Sequence, residues 1–243
     1  MNKRPVSYLQ TDPRWKDIDY SARSGESKKR TIGTSGCGPT CAAMLIETIT
    51  GKRFTPADAC AWSQKRGYKA PNQGTYYSYF VPQFKAFGIA CQQLNGNNVY
   101  GKPSDPVHKK AFDLLKEGYY LIACMGKGNW TTSGHFVVVW WQDGKVRIND
   151  PNSVKPDRVN GDFALFRNQV KYYWAIDARA YNKEDDDMEY YKTLNDVPAG
   201  YKPAVQKVIK AGALKGTGGG VLNISEDNCR LLTILDRLGL LDK

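Results

Sequence analysis

Gly36-Cys37-Gly38-Pro39-Thr40-Cys41-Ala42-Ala43-Met44-Leu45-Ile46-Glu47 is the stretch on which the fold turns. A Gly-Cys-Gly-Pro turn runs straight into an apolar, helix-like segment, which predicts a thiol at a helix N-terminus. Unpaired backbone N–H groups and the positive end of the helix dipole favour a thiolate there, and the same groups can later receive charge from a carbonyl oxygen. The flanking glycines leave room for a substrate backbone. Cys41, one helical turn further on, is expected to point into the core.

Outward from this segment, helical patterns cover about 38–50, 55–66, 76–87 and 107–117. Strand patterns rich in β-branched and aromatic residues follow at 121–125, 136–141, 145–149 and 171–177. Helices first and an antiparallel sheet afterwards predict an α+β domain over residues 1–182. The charged, unpatterned run Lys183-Glu184-Asp185-Asp186-Asp187 marks a break, giving a linker at 183–189 and a small all-α module at 190–243. That module reads as two amphipathic helices, 202–211 and 226–238, joined by a glycine-rich segment at 216–220, with Ser225 capping the second. Val205, Val208 and Ile209 form one apolar stripe, and Leu231, Leu235 and Leu238 the other.

Lys and Arg number 35 against 24 Asp and Glu, a net charge of +11, and the excess is uneven. Residues 1–182 carry 26 basic and 14 acidic side chains, whereas the remainder carries 9 and 10. The basic face therefore belongs to the first domain, and it attracts polyanions such as nucleic acid, anionic lipid or wall polymers. The start, Met1-Asn2-Lys3-Arg4-Pro5-Val6-Ser7-Tyr8, lacks the apolar core of a secretory signal, and the longest apolar run, 136–141, is too short to span a membrane. A soluble protein made in the cytosol is expected, without stable membrane insertion. Six cysteines with neither Cys-x-x-Cys pairs nor a compact framework suit a reducing compartment.

Only two histidines are available as a base. His108, beside Lys109 and Lys110, is expected on an exposed helix surface. His135, in Ser133-Gly134-His135-Phe136 at the mouth of an apolar strand, is the candidate. With Asp143-Gly144 as a two-residue turn, Gln142 pairs with Lys145 and Asp150 falls opposite Val137. Asp150 then lies diagonally across from His135 on one face, about 7–8 Å away between backbones. A carboxylate there would hold the imidazole in one orientation and stabilise its cation. Metal chemistry is not expected, since neither histidine has His-Glu-x-x-His spacing, and no cofactor is implied.

Cys37, His135 and Asp150 follow one another in the order used by papain-like enzymes. Four segments resemble the papain-like peptidases related to bacteriocin-processing double-glycine peptidases: residues 8–15, Gly36-Cys37-Gly38-Pro39-Thr40, Gly134-His135-Phe136-Val137-Val138 and Asn149-Asp150-Pro151. The likeness covers about residues 5–180. It implies a papain-like fold with helices packed on an antiparallel sheet, and it implies that Gln10 donates its amide to the oxyanion. Between Gln10 and Cys37 this chain carries an insertion rich in Ser, Gly and Lys.

The tail resembles the small helical module at the end of many phage and bacterial wall lysins, and more distantly S-layer-homology repeats. Together the two resemblances imply an endolysin-type hydrolase that waits in the cytosol and then cuts amide bonds in peptidoglycan. Its partners would be peptidoglycan and an associated anionic wall polymer rather than nucleic acid, with self-association through the tail. An N-acetylmuramoyl-L-alanine amidase using the same residues, and a non-catalytic wall or polyanion binder, stay open. Trp130, Trp140, Trp141 and Tyr119 are aromatic candidates for contacting sugars or peptide.

Overall fold

The computed structural model describes residues 3–160, 163–181, 190–216 and 221–241. Contacts divide the chain into two compact units, Met1–Asn182 and Lys183–Lys243. The expected linker at 183–189 lies outside the described residues, as does most of the glycine-rich segment at 216–220. Among the described residues no helix is long and apolar enough to cross a membrane.

The first unit places helices α1 (Ile32–Ser35), α2 (Cys37–Thr50), α3 (Pro56–Lys65) and α4 (Phe80–Lys85) ahead of most of the sheet. Strands β1 (Cys91–Gln93), β2 (Tyr119–Met125), β3 (His135–Gln142), β4 (Lys145–Asn149) and β5 (Val170–Asp177) make one sheet in the order β1-β5-β2-β3-β4. All its pairs are antiparallel. Helix α5 (Pro106–Lys116) precedes β2, while α6 (Pro156–Val159) and α7 (Phe163–Gln169) fall between β4 and β5.

Side chains alternate between two cores because successive strand residues face opposite ways. Tyr120, Ile122, Phe136, Val138, Trp140, Trp174 and Ile176 meet the α2 side. Leu121, Ala123, Val137, Val139, Tyr173 and Ala175 meet the side covered by α5 and α7. Burial on both faces explains why β2 and β3 read as continuous apolar runs instead of alternating ones. Helix α2 is sealed as well, with Thr40 through Ile46 fully buried, so it is enclosed around its circumference. Each large side chain buried this way contributes about 1.5–3 kcal/mol. Gly51 ends α2 in the left-handed conformation, its N–H donating to the Glu47 carbonyl.

Three expectations change. The helix anticipated at 76–87 is a 3₁₀ turn, Tyr77–Tyr79, followed by the shorter α4. His108 is not on the surface: it is buried, with Nδ1 2.9 Å from the Tyr173 hydroxyl and Nε2 3.1 Å from the Lys102 carbonyl. A carbonyl only accepts, so Nε2 carries the proton and Nδ1 accepts from Tyr173. Burial lowers its pKa, which keeps the ring neutral. The physical reason is spacing, for His108, Ala111, Phe112 and Leu115 share the buried face of α5 while the lysines face out.

The third change concerns the second unit, which is not purely helical. Strands β6 (Tyr190–Tyr191) and β7 (Ile224–Ser225) form a two-stranded ribbon beside helices α8 (Lys202–Lys210) and α9 (Glu226–Arg237). Ser225 caps α9, accepting the Asn228 N–H. The small core holds Tyr191, Val197, Val205, Ile224 and Cys229, with Ile209 and Leu232 against it. Helix α9 therefore packs through Cys229 and Leu232, one position off the expected stripe, and leaves Leu231, Ile234 and Leu238 exposed at 54%, 54% and 67%.

Candidate active site

Helix α2 starts at Cys37 itself, with Gly36 as the preceding cap residue. A side chain at Gly36 would stand 2.7 Å from the Ile32 carbonyl oxygen, so only glycine lets α1 turn directly into α2. Gly38 keeps the opposite flank narrow, since an added Cβ would already touch the Phe136 ring and Thr75. The half-buried Cys37 thiol is thus held between the first turn of α2 and the start of β3.

Strand β4 pairs with β3 only from Val138↔Asn149 onward. The first residues of β3 consequently have no ladder partner on that side, and the backbone N–H groups of Phe136 and Gly38 beside Cys37 help to hold its pKa down. Burial would push this thiol up, but a hydrogen bond from His135, the charge of that ring and the two backbone donors outweigh it. Cys37 sits below its ordinary pKa.

His135 opens β3 and is buried. Its Nε2 donates to Asp150 Oδ1 at 2.7 Å, which leaves Nδ1 as the nitrogen that serves the thiol. Burial acts against the imidazolium, yet the bonds to Asp150 and Cys37 prevail and raise its pKa from 6.5 to about 9. Lowered thiol and raised imidazole together favour a thiolate–imidazolium pair near neutral pH.

The hairpin that joins them follows the expected pairing, Gln142↔Lys145 through Val138↔Asn149. Both turn residues have positive φ, Asp143 at 51° and Gly144 at 74°, which matches the twist of the strands. Beyond Asn149 the chain leaves the ladder, and Asp150 bridges to Ser153 in a turn where Asp150 Oδ1 also accepts the Asn152 N–H at 2.7 Å. Asp150 is buried, and its Oδ2 lies 3.1 Å from Arg158 Nε on α6. Arg158 is itself tied to Trp130, whose Nε1 donates to the Arg158 carbonyl at 3.0 Å and whose own carbonyl accepts from the guanidinium.

Gln10 reaches this place in spite of the insertion. Its backbone N–H donates to the Pro151 carbonyl at 2.7 Å, and its Nε2 donates to the Gly33 carbonyl at 2.8 Å, three residues before Gly36. The insertion is drawn aside by Glu26, which accepts from Lys69 Nζ at 2.6 Å and from the Ala22 and Asn72 N–H groups. The structure therefore gathers Gln10, Cys37, His135 and Asp150 in one neighbourhood.

Two of the aromatic candidates are packing groups: Trp130 and Trp140 are buried, with indole N–H groups bonded to Arg158 and Asn149. Trp141 and Tyr119 are half-buried but stand at the far end of the sheet from His135. The aromatic group that does border the site is Tyr77, in the 3₁₀ turn before α4, which meets Phe136 edge-on at 6.1 Å while staying 38% exposed; Thr75, just before it, lies against Gly38. Neither Tyr77 nor Arg158 carries a sequence signal of its own. Arg158 meets Asp150 only because α6 folds back behind it.

A half-buried thiol at a helix head, served by a ring from an antiparallel sheet, is the arrangement of papain-like cysteine peptidases. The chain belongs to the Peptidase_C39 like family, whose model matches residues 16–181 and so spans Cys37, His135 and Asp150 but not Gln10. Among solved structures it is similar to one described as a candidate C39-like peptidase from Bacillus anthracis, at 13% identity and a TM-score of 0.41 over 72% of this chain and 98% of that one. No curated protein matches it significantly.

Proposed function

We propose that this cysteine peptidase acts on bacterial peptidoglycan as an endolysin-type hydrolase. The observation that carries the chemistry is the 2.7 Å His135–Asp150 bond behind a thiol whose pKa is lowered. In this reading the Cys37 thiolate attacks an amide carbonyl carbon. The Cys37 backbone N–H and the second amide hydrogen of Gln10 receive the oxyanion. The imidazolium of His135 gives its proton to the departing amine as the C–N bond breaks, leaving a thioester. His135 then takes a proton from water, the hydroxide adds to the thioester carbonyl, and thiolate and imidazolium return as the acid leaves. Asp150 holds the ring throughout.

The target is supported by charge and by the tail. Nearly all of the basic excess lies in residues 1–182, which suits an anionic wall. The exposed Leu231, Ile234 and Leu238 face of α9 is not covered by the core of its own unit, as suits a module that attaches to a wall polymer or to another copy. The protein is taken to wait in the cytosol of the producing cell until released. Turbidity of a purified wall suspension should fall with the wild type and not with Cys37→Ala. Equal loss with both, or none with either, would sink the proposal. Mass spectrometry of the digest identifies the bond: new amino termini within the stem or cross-bridge mark a peptidase, free lactyl groups an amidase.

A further inference from the structure

The far end of the β3–β4 hairpin carries a second concavity. Trp141, Gly144, Lys145 and Arg147 form one wall, α5 supplies Lys109, Phe112 and Lys116, and Phe163 helps close the floor. Its volume is ≈ 750 Å³, within the range of small-ligand sites. Trp141 is six residues along β3 from His135, about 20 Å at strand spacing, so this pocket is separate from the thiol.

Its chemistry is uneven in an informative way. Four cations and one carboxylate line it: Asp113 Oδ2 accepts from Lys109 Nζ at 2.6 Å and also feels the charge of Lys116. Lys116 rests over the Trp141 ring, 5.6 Å from its centre, and Arg147 Nη1 donates to Asn160 Oδ1 at 2.9 Å. Among the described residues Lys145 and Arg147 form no ion pair, so the pocket keeps a positive balance. Between the charges lies an apolar floor, where Phe112 and Phe163 meet edge-on with centres 4.1 Å apart. A half-buried indole beside a cluster with more cations than carboxylates among the described residues suits a ligand with a flat C–H face and an attached anion.

We infer that this pocket binds a phosphorylated sugar, the repeating chemistry of an anionic glycopolymer. A nucleotide is the competing occupant, but the two phenylalanines are locked against each other and offer no second stacking face. The site is independent of hydrolysis, so binding is measured on the full chain carrying Cys37→Ala, and failure here leaves the wall-hydrolase reading to its own test.

The measurement is calorimetric titration with N-acetylglucosamine 1-phosphate, N-acetylglucosamine, inorganic phosphate and adenosine monophosphate. The sugar phosphate is expected to bind at least about tenfold more tightly than either fragment alone, and Lys116→Gln with Lys145→Gln to weaken it about tenfold, the value of two partly exposed charges. Both lysines are exposed, so the variant retains the fold. Sugar phosphate no tighter than inorganic phosphate, tighter adenosine monophosphate, or unchanged affinity in the double variant would each overturn the assignment.

Discussion

Replacing Asp150 with alanine tests the central electrostatic claim without needing a substrate. His135 is raised from 6.5 to about 9 although burial works against its charge, and Asp150 and Cys37 together supply the rise. If Asp150 provides about half of it, its loss costs the imidazolium about 1–2 kcal/mol, or a factor of roughly 20 in the balance between ion pair and neutral pair. Cys37 then loses the charge that keeps it ionised, and its reactivity at mildly acidic pH falls by a similar factor. Iodoacetamide alkylation against pH reads this directly. Selectivity is provided by the fold: Cys41 and Cys60 are buried and pushed well above the usual thiol range, Cys124 rises to about 11, and Cys91 rises to about 12. Wild type should alkylate at Cys37 faster than the variant at neutral and mildly acidic pH, and the variant's rate should rise only at more alkaline pH than the wild type's. Superimposable profiles, with both proteins folded by near-ultraviolet circular dichroism, would refute the reasoning.

Other expectations follow from the same geometry. Gln10→Ala should lower kcat about 10²-fold with little change in KM, since an oxyanion donor acts in the transition state; a pure KM effect would reassign Gln10 to substrate binding. Arg158→Gln leaves buried Asp150 Oδ2 without its counter-ion and should cost about 1–3 kcal/mol of stability, visible as a lower Tm. Removing that cation also frees the carboxylate for the imidazolium, so the alkaline limb of activity, set by His135 near 9, should move to higher pH; a move to lower pH would contradict the assigned role. Glu26 is held down to about 2 by its bond from Lys69, so its contribution to stability is present above the ordinary carboxylate range and disappears as pH falls toward 2. Glu26→Gln should therefore lower Tm at neutral pH and flatten the dependence of Tm on acidification, and an unaltered melting curve across that range would show the contact to be idle.

How much of this was legible depended on the range of the interactions. The β3–β4 register followed from two residues, Asp143 and Gly144, because a two-residue turn fixes pairing locally, and the proximity of His135 to Asp150 came with it. The sealed helix α2 was readable from its unbroken apolar run. Strand β1 was not, since a three-residue edge strand, Cys91-Gln92-Gln93, has too little pattern to register. His108 was misplaced by giving its lysine neighbours more weight than the three-and-four spacing of His108, Ala111, Phe112 and Leu115. Helix α9 was set one residue out of phase because leucines occupy both its buried and its exposed sides. Arg158 was beyond reach, as nothing near it in the chain announces that α6 folds back behind Asp150.

The separation of Cys37 from His135 along the chain has a consequence for biosynthesis. The thiol is synthesised early, whereas the ring that ionises it and the strand whose N–H steadies it arrive about a hundred residues later. Until the sheet closes, the nascent polypeptide carries an ordinary, protonated cysteine, so nucleophilic power is switched on by the last stages of folding. A ribosome-bound chain ending before His135 should accordingly react with iodoacetamide no faster than a free thiol, and faster reaction would show that the helix head suffices.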